Sequence, residues 1–137
     1  MDFVELNGTA MRYELRGEKG PLVVLIHEMG GVLENWDEVV PALGGDYRVL
    51  RYDCRGFGMS ERVRGDLNVT TLADDLAALL DHVGEKQPAV IAGCAVGAAI
   101  ALVFAARHRE RATGVVAMSP ALDMKPEDRP ARLSMLE

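Results

Sequence analysis

The run Val90-Ile91-Ala92-Gly93-Cys94-Ala95-Val96-Gly97-Ala98-Ala99-Ile100-Ala101-Leu102 decides the fold. It opens as a short apolar, β-branched segment, which suits a strand buried on both faces. It then passes through two glycines spaced four apart and continues as a helix of small residues. That is the layout of a sharp strand-to-helix turn that lifts one side chain above a sheet. With Ala95 at the apex, the positions two before and two after are Gly93 and Gly97, small where the helix crowds the strand. With Cys94 at the apex they become Ala92 and Val96, and valine fits poorly there. The Ala95 register is therefore preferred, which leaves Cys94 as a small buried hydrophobe. The side chain at the apex is then only a methyl group.

Working outward, the chain alternates strands and helices. FVELNG and TAMRYEL alternate apolar and polar residues around Asn7-Gly8, a strong hairpin signal. PLVVLIH and YRVLRYD read as buried strands. Leu33, Trp36, Val39 or Val40 and Leu43 have helical spacing up to Gly44-Gly45, which predicts one helix over 33–43. A second helix is predicted over 70–83, with Thr71 and Asp74 as a capping box and Gly84 as its stop. PAVIAG, the helix from Val96 to Arg107 and the strand ATGVVAMSP follow. The alternation predicts an α/β fold: a mostly parallel sheet with an N-terminal antiparallel hairpin and helices on both faces. Residues 1–122 would form this core. Residues 123–137, polar and carrying Pro126 and Pro130, read as a linker toward further sequence.

The bulk numbers set the class. The chain has 137 residues, 49% hydrophobic and 26% charged, enough for one domain with a core. No apolar run reaches the roughly 18 residues of a membrane span, and no secretory signal pattern opens the chain. A net charge of −6 argues against nucleic acid or an anionic membrane as the main partner. Cys54 and Cys94, without metal spacing, fit a reducing cytoplasm better than a disulfide scaffold. The three histidines also lack ligand spacing, so no cofactor or metal is implied.

Three glycine-rich loops fall at the carboxyl ends of strands, where doubly wound sheets gather ligands. These are His27-Glu28-Met29-Gly30-Gly31, Asp53-Cys54-Arg55-Gly56-Phe57-Gly58-Met59-Ser60 and the turn at Ala95. Together they resemble the α/β-hydrolase family. LIHEMGG looks like its oxyanion loop, normally His-Gly-x-Gly. YDCRGFGMS is similar to its Asp-x-Arg-Gly-x-Gly-x-Ser segment, and GCAVG to the nucleophile elbow Gly-x-Ser-x-Gly. The resemblance runs over the whole chain but covers about the first half of the family's fold.

The resemblance implies a serine at the position that Ala95 occupies, and hydrolysis of a small-molecule carboxylic ester, lactone or amide through an acyl-enzyme. The intact elbow and loops favour replacement of a working serine over drift after lost activity, so the form with Ala95 is expected to be inactive. The backbone amides of Met29 and Val96 would form the oxyanion hole. The acid and histidine of the triad would come from the absent C-terminal half, which would also supply a lid. Asp123 is a weak candidate for the acid. His27 would brace the oxyanion loop, and His108, the only histidine after Ala95, lies roughly 20 Å along the helix from it. Glu28 departs from the family's usual glycine. It is expected to point outward or to cap the helix of Trp36, with a role in proton handling as the weaker reading. Asp53, Arg55 and Ser60 read as a structural ion-pair loop. Met29, Phe57, Met59 and Trp36 could line an acyl pocket, against a default of core packing.

Two alternatives stay open: a relative of the dehalogenases and epoxide hydrolases, which carry aspartate at the apex, and a non-catalytic ligand-binding protein. A homo-oligomer also stays open. A sheet ending on its last strand would leave an apolar edge unpaired, so the chain is not expected to fold alone.

Overall fold

A computed structural model describes residues 1–63 and 67–122. Its centre is one six-stranded sheet: β1 (Asp2–Leu6), β2 (Thr9–Arg16), β3 (Leu22–Ile26), β4 (Arg48–Tyr52), β5 (Ala89–Cys94) and β6 (Ala112–Met118). The order across the sheet is β1-β2-β4-β3-β5-β6. The β1–β2 and β2–β4 pairs are antiparallel, and the remaining pairs are parallel. Asn7 and Gly8 close the first hairpin with φ of 50° and 73°. Two successive positive φ values are what a twisted two-residue hairpin loop needs, and asparagine and glycine reach them at least cost.

Each face of the sheet has its own cover. On one face, Val24, Ile26, Leu50, Tyr52 and Ile91 meet α2 (Val69–His82) and α3 (Val96–Arg107), with Leu76, Leu79, Ile100 and Phe104 fully buried. On the other, Val23, Leu25, Val49 and Ala92 pack under Trp36 and Val40. The predicted helix over 33–43 is in fact two pieces, a 3-10 turn (Leu33–Trp36) and a short α1 (Val39–Ala42). Pro41 explains the break. It has no N–H to give to the Asp37 carbonyl, and its ring would clash there in a continuous helix. Gly44, with φ of 70°, terminates α1.

The second helix also differs from expectation at its start. Its cap is Asn68, whose Oδ1 accepts from the Thr71 N–H at 2.8 Å, so Thr71 lies inside the helix rather than ahead of it. Asp74 instead binds Arg107, the last residue of α3, and His108 just after it.

From β3 the chain moves to β4 on one side and later to β5 on the other. That reversal is the sheet's topological switch point, at the carboxyl ends of β3 and β5, the usual ligand position in such sheets. Beyond β5, the edge strand β6 keeps Val116 and Met118 exposed, at 49% and 39%.

Candidate active site

The candidate site is built from the turn after β5. Cys94 ends the strand, Val96 begins α3, and Ala95 between them has φ 53° and ψ −112°. An L-residue holds such a conformation only when its surroundings force it, at about 1–3 kcal/mol. The force here is backbone packing. A Cβ on Gly93 would fall on the carbonyl group of Gly97 and 2.7 Å from the Ala98 nitrogen. One on Gly97 would fall on the Ile26 carbonyl oxygen and 2.6 Å from that of His27. The helix thus starts hard against both β5 and the end of β3, and only glycine leaves room. Hydrogen bonds then fix the apex. The Ala95 N–H donates to the Met118 carbonyl at 3.0 Å, and the Ala121 N–H donates to that of Ala95 at 3.0 Å. Cys94, one residue earlier, is half-buried and packs against the cluster that holds Trp36.

The loop after β3 is organised by a histidine with a fixed tautomer. His27 is fully buried. Its Nε2 accepts from the Cys54 N–H at 2.9 Å, so the ring proton sits on Nδ1, which donates to the Glu28 carbonyl at 2.6 Å. The Gly31 N–H donates to the same oxygen at 3.0 Å. That carbonyl belongs to the peptide whose N–H is Met29's. Because the peptide is trans, tying the oxygen back toward His27 turns the N–H the opposite way. Among the described residues neither Met29 nor Val96 donates its N–H to another group. Val96 lies in the first turn of α3, where amides are unpaired and the helix dipole is positive.

The other candidate residues spread around this centre. Glu28 is half-buried, and its carboxylate folds over Gly31 to accept from the side-chain amide of Asn35, one residue before Trp36. Met29 is 54% exposed. Phe57 is half-buried and meets the His27 ring edge-on at 5.6 Å. Trp36 sits in the smaller core cluster, and its indole nitrogen is buried without a partner. Asp123 lies outside the described residues. His82 contacts the Tyr13 hydroxyl at 3.3 Å, and His108 contacts Asp74 at 3.2 Å, so neither is turned over to the apex.

Asp53 and Arg55 are ion-paired, but with partners far along the chain. Asp53, fully buried, accepts from Arg12 Nε at 2.7 Å, from the Leu33 N–H at 2.8 Å and from the Met59 N–H at 2.8 Å. Arg55 reaches both oxygens of buried Asp75 at 2.8 Å. Ser60 Oγ donates to the Asp53 carbonyl at 2.7 Å and accepts from the Arg12 N–H at 2.9 Å. Sequence reasoning did not single out Arg12, Glu34, Arg51 or Asp75. The available signal was a charged residue at an inward position of a strand, Arg12 in MRYEL and Arg51 in VLRYD.

Titration follows these contacts. The Arg12 guanidinium, bonded to Glu34 and Asp53, is pushed further up, while the Glu34 carboxyl is held below its ordinary range by Arg12. Burial pushes the Cys54 thiol up to about 12, so it stays a neutral core group. Among the described residues, no three His, Cys, Asp or Glu side chains gather as a metal site, and no helix is long and apolar enough to cross a membrane.

Comparison with known proteins agrees with this geometry. A sequence model of the alpha/beta hydrolase fold matches residues 21–137. The chain is 39% identical to epoxide hydrolase B of Mycobacterium tuberculosis over 105 residues, 74% of this chain and 29% of that protein. It is 37% identical over 120 residues to the dihydrolipoyllysine-residue acetyltransferase component of the acetoin cleaving system of Pseudomonas putida, covering 85% of this chain and 32% of that protein. Among solved structures it superposes on the enol-lactonase of Burkholderia xenovorans LB400 with a TM-score of 0.83 and 33% identity, covering 87% of this chain and 46% of that one. A thermophilic esterase from Thermogutta terrifontis gives 0.89 at 29% identity, covering 96% and 51%. The chain therefore spans about half the length of these structures or less. With the elbow, the histidine-braced loop and the sheet order in place, the chain belongs to the α/β-hydrolase fold family.

Proposed function

We propose that this chain is the N-terminal part of a hydrolase that cleaves a small-molecule carboxylic ester, lactone or amide through an acyl-enzyme. Ala95 stands where the nucleophilic serine would be. The observation that carries the reading is the strained conformation of Ala95, sustained by glycines on both sides at the positive end of α3. A methyl group gains nothing from such a position, whereas a hydroxyl there could attack a carbonyl carbon. The amides of Met29 and Val96 would donate hydrogen bonds to the developing oxyanion, each worth roughly 3–4 kcal/mol. A histidine and an acid from the second half of the fold would take the hydroxyl proton and pass it to the leaving group. Asp123 remains a candidate for that acid. In this reading the remaining strands of the same cytoplasmic polypeptide cover the exposed edge of β6, and the protein as it stands binds substrate without turning it over.

The test is Ala95→Ser in the polypeptide that carries both halves, assayed on chromogenic esters, lactones and amides. Turnover should rise by about 10⁵-fold or more over the alanine form, since loss of a triad nucleophile costs about that much. The similarity to epoxide hydrolase B favours a second reading, in which the missing group is an aspartate that opens an epoxide. Ala95→Asp with an epoxide panel decides between them. Silence from both variants, with tight ligand binding retained, would identify a receptor instead.

A further inference from the structure

Two arginines are buried on the face of the sheet opposite α2 and α3, Arg12 on β2 and Arg51 on β4, with side chains 6% and 5% exposed. Sheet stability alone does not call for them, because buried ion pairs gain little over well-packed apolar residues of similar volume. What sets these two apart is a shared target, the 3-10 turn Leu33–Trp36. Arg12 grips the Glu34 carboxylate with both terminal nitrogens at 2.6 Å while its Nε binds Asp53. Arg51 Nη1 donates to the Leu33 carbonyl at 3.0 Å and to Asp37 Oδ1 at 2.5 Å, and its Nε binds Glu14. Asp53 accepts the Leu33 N–H. Both backbone polar groups of Leu33, and carboxylates within and just after the turn, are thus held by buried charges.

Leu33 lies at the far end of the loop that carries Met29. The near end is His27, held by the Cys54 N–H. Both ends of the five residues 28–32 are therefore fastened to one rigid stretch, Arg51 to Cys54. We propose that Arg12 and Arg51 are positioning residues: through Leu33 and Glu34 they fix the loop that aims the Met29 amide, without touching substrate. The fork geometry of arginine is what allows one cation to hold two groups at once, which lysine cannot do. This inference rests on the proposed function only in taking the Met29 amide as an oxyanion donor.

Glu34→Gln is the sharpest probe, because Glu34 is 43% exposed and its loss leaves the core intact. In the Ala95→Ser polypeptide it should lower kcat about tenfold with KM unchanged, a fraction of what a misplacement of about 1 Å can cost. Arg12→Lys should move kcat the same way, while Asp74→Asn, on α2, should leave kcat unchanged. An unchanged kcat in Glu34→Gln, or a rise in KM alone, overturns the proposal. A second readout needs no activity. In the Ala95 protein, exchange of the Gly31 amide should quicken about tenfold on Glu34→Gln while amides of β5 hold their rates. Unaltered exchange, or equal acceleration throughout the sheet, overturns it. If Ala95→Ser turns over nothing, the proposed function falls and the exchange measurement still decides whether the arginines hold the loop.

Discussion

At the end of β5 the chain turns through Ala95 because backbone closes in from two sides, with α3 lying against Gly93 and against the carbonyls of Ile26 and His27. At the end of β4, two strands away across β3, it turns through Asp53 to Ser60 around a single buried carboxylate that gathers Arg12, Leu33 and Met59. Both turns contain a glycine that no other residue could replace. Gly58, at φ 56°, would drive a Cβ to within 2.8 Å of Asp53 Oδ1. The elbow is held by exclusion and the other loop by charge. The first works through atoms that are there whatever the side chains, so it tolerates no change of shape. The second works through one ionised group, so it depends on every partner that satisfies that group.

The sharpest way to break this contrast is Gly97→Val. Three carbons would have to enter space already occupied by main chain, which cannot repack as a side chain would. Destabilisation should be about 4 kcal/mol or more, read from denaturant unfolding. A loss under about 1 kcal/mol would mean that α3 can slide away from β3, and the elbow would not be sterically set. Asp53→Ala comes next. It strands Arg12 and two backbone donors in the core, and breaking a buried pair in this way costs about 3–5 kcal/mol. A chevron or urea titration that found near-neutral stability would show that Glu34 alone satisfies Arg12.

The same contrast explains what could be read from the sequence. The elbow was legible because its constraint lies within five residues: Gly93 and Gly97 flank their apex, and strand and helix periodicity locate the turn. The hairpin at Asn7-Gly8 and the sheet class were local or repetitive in the same way. The charge-built loop was not. Asp53 finds Arg12 41 positions earlier, and Arg55 finds Asp75 20 positions later, separations that no short pattern encodes. The YDCRGFGMS segment marked the place but suggested an ion-pair loop without its true partners. Smaller misreadings have the same origin. Apolar spacing over 33–43 ignored the missing N–H of Pro41, and Thr71 drew attention from Asn68, the residue with the free cap geometry. Trp36, for which core packing was the default over a pocket role, sits at 8% exposure in the smaller cluster.

A weaker charge cluster sharpens the comparison from the other side. Asp74 on α2 binds Arg107 through both oxygens, at 3.1 and 3.0 Å, and meets His108, but its side chain is 41% exposed. The hydrogen bond from Arg107 holds its carboxyl below the ordinary aspartate value of 3.8. A carboxyl depressed in the folded state adds stability above its unfolded value and loses it as pH falls through the folded one. Asp74→Asn should therefore cost under about 1 kcal/mol at neutral pH, because solvent screens the pair. Below about pH 4 the variant should lose stability less steeply than the parent, an effect measurable as a difference in thermal midpoint across an acid series. If Asp74→Asn instead costs as much as Asp53→Ala, burial is not what gives the β4 loop its dependence on charge. Both clusters would then hold their helices and loops by geometry alone, and the distinction between a turn made by exclusion and one made by charge would lose its physical basis.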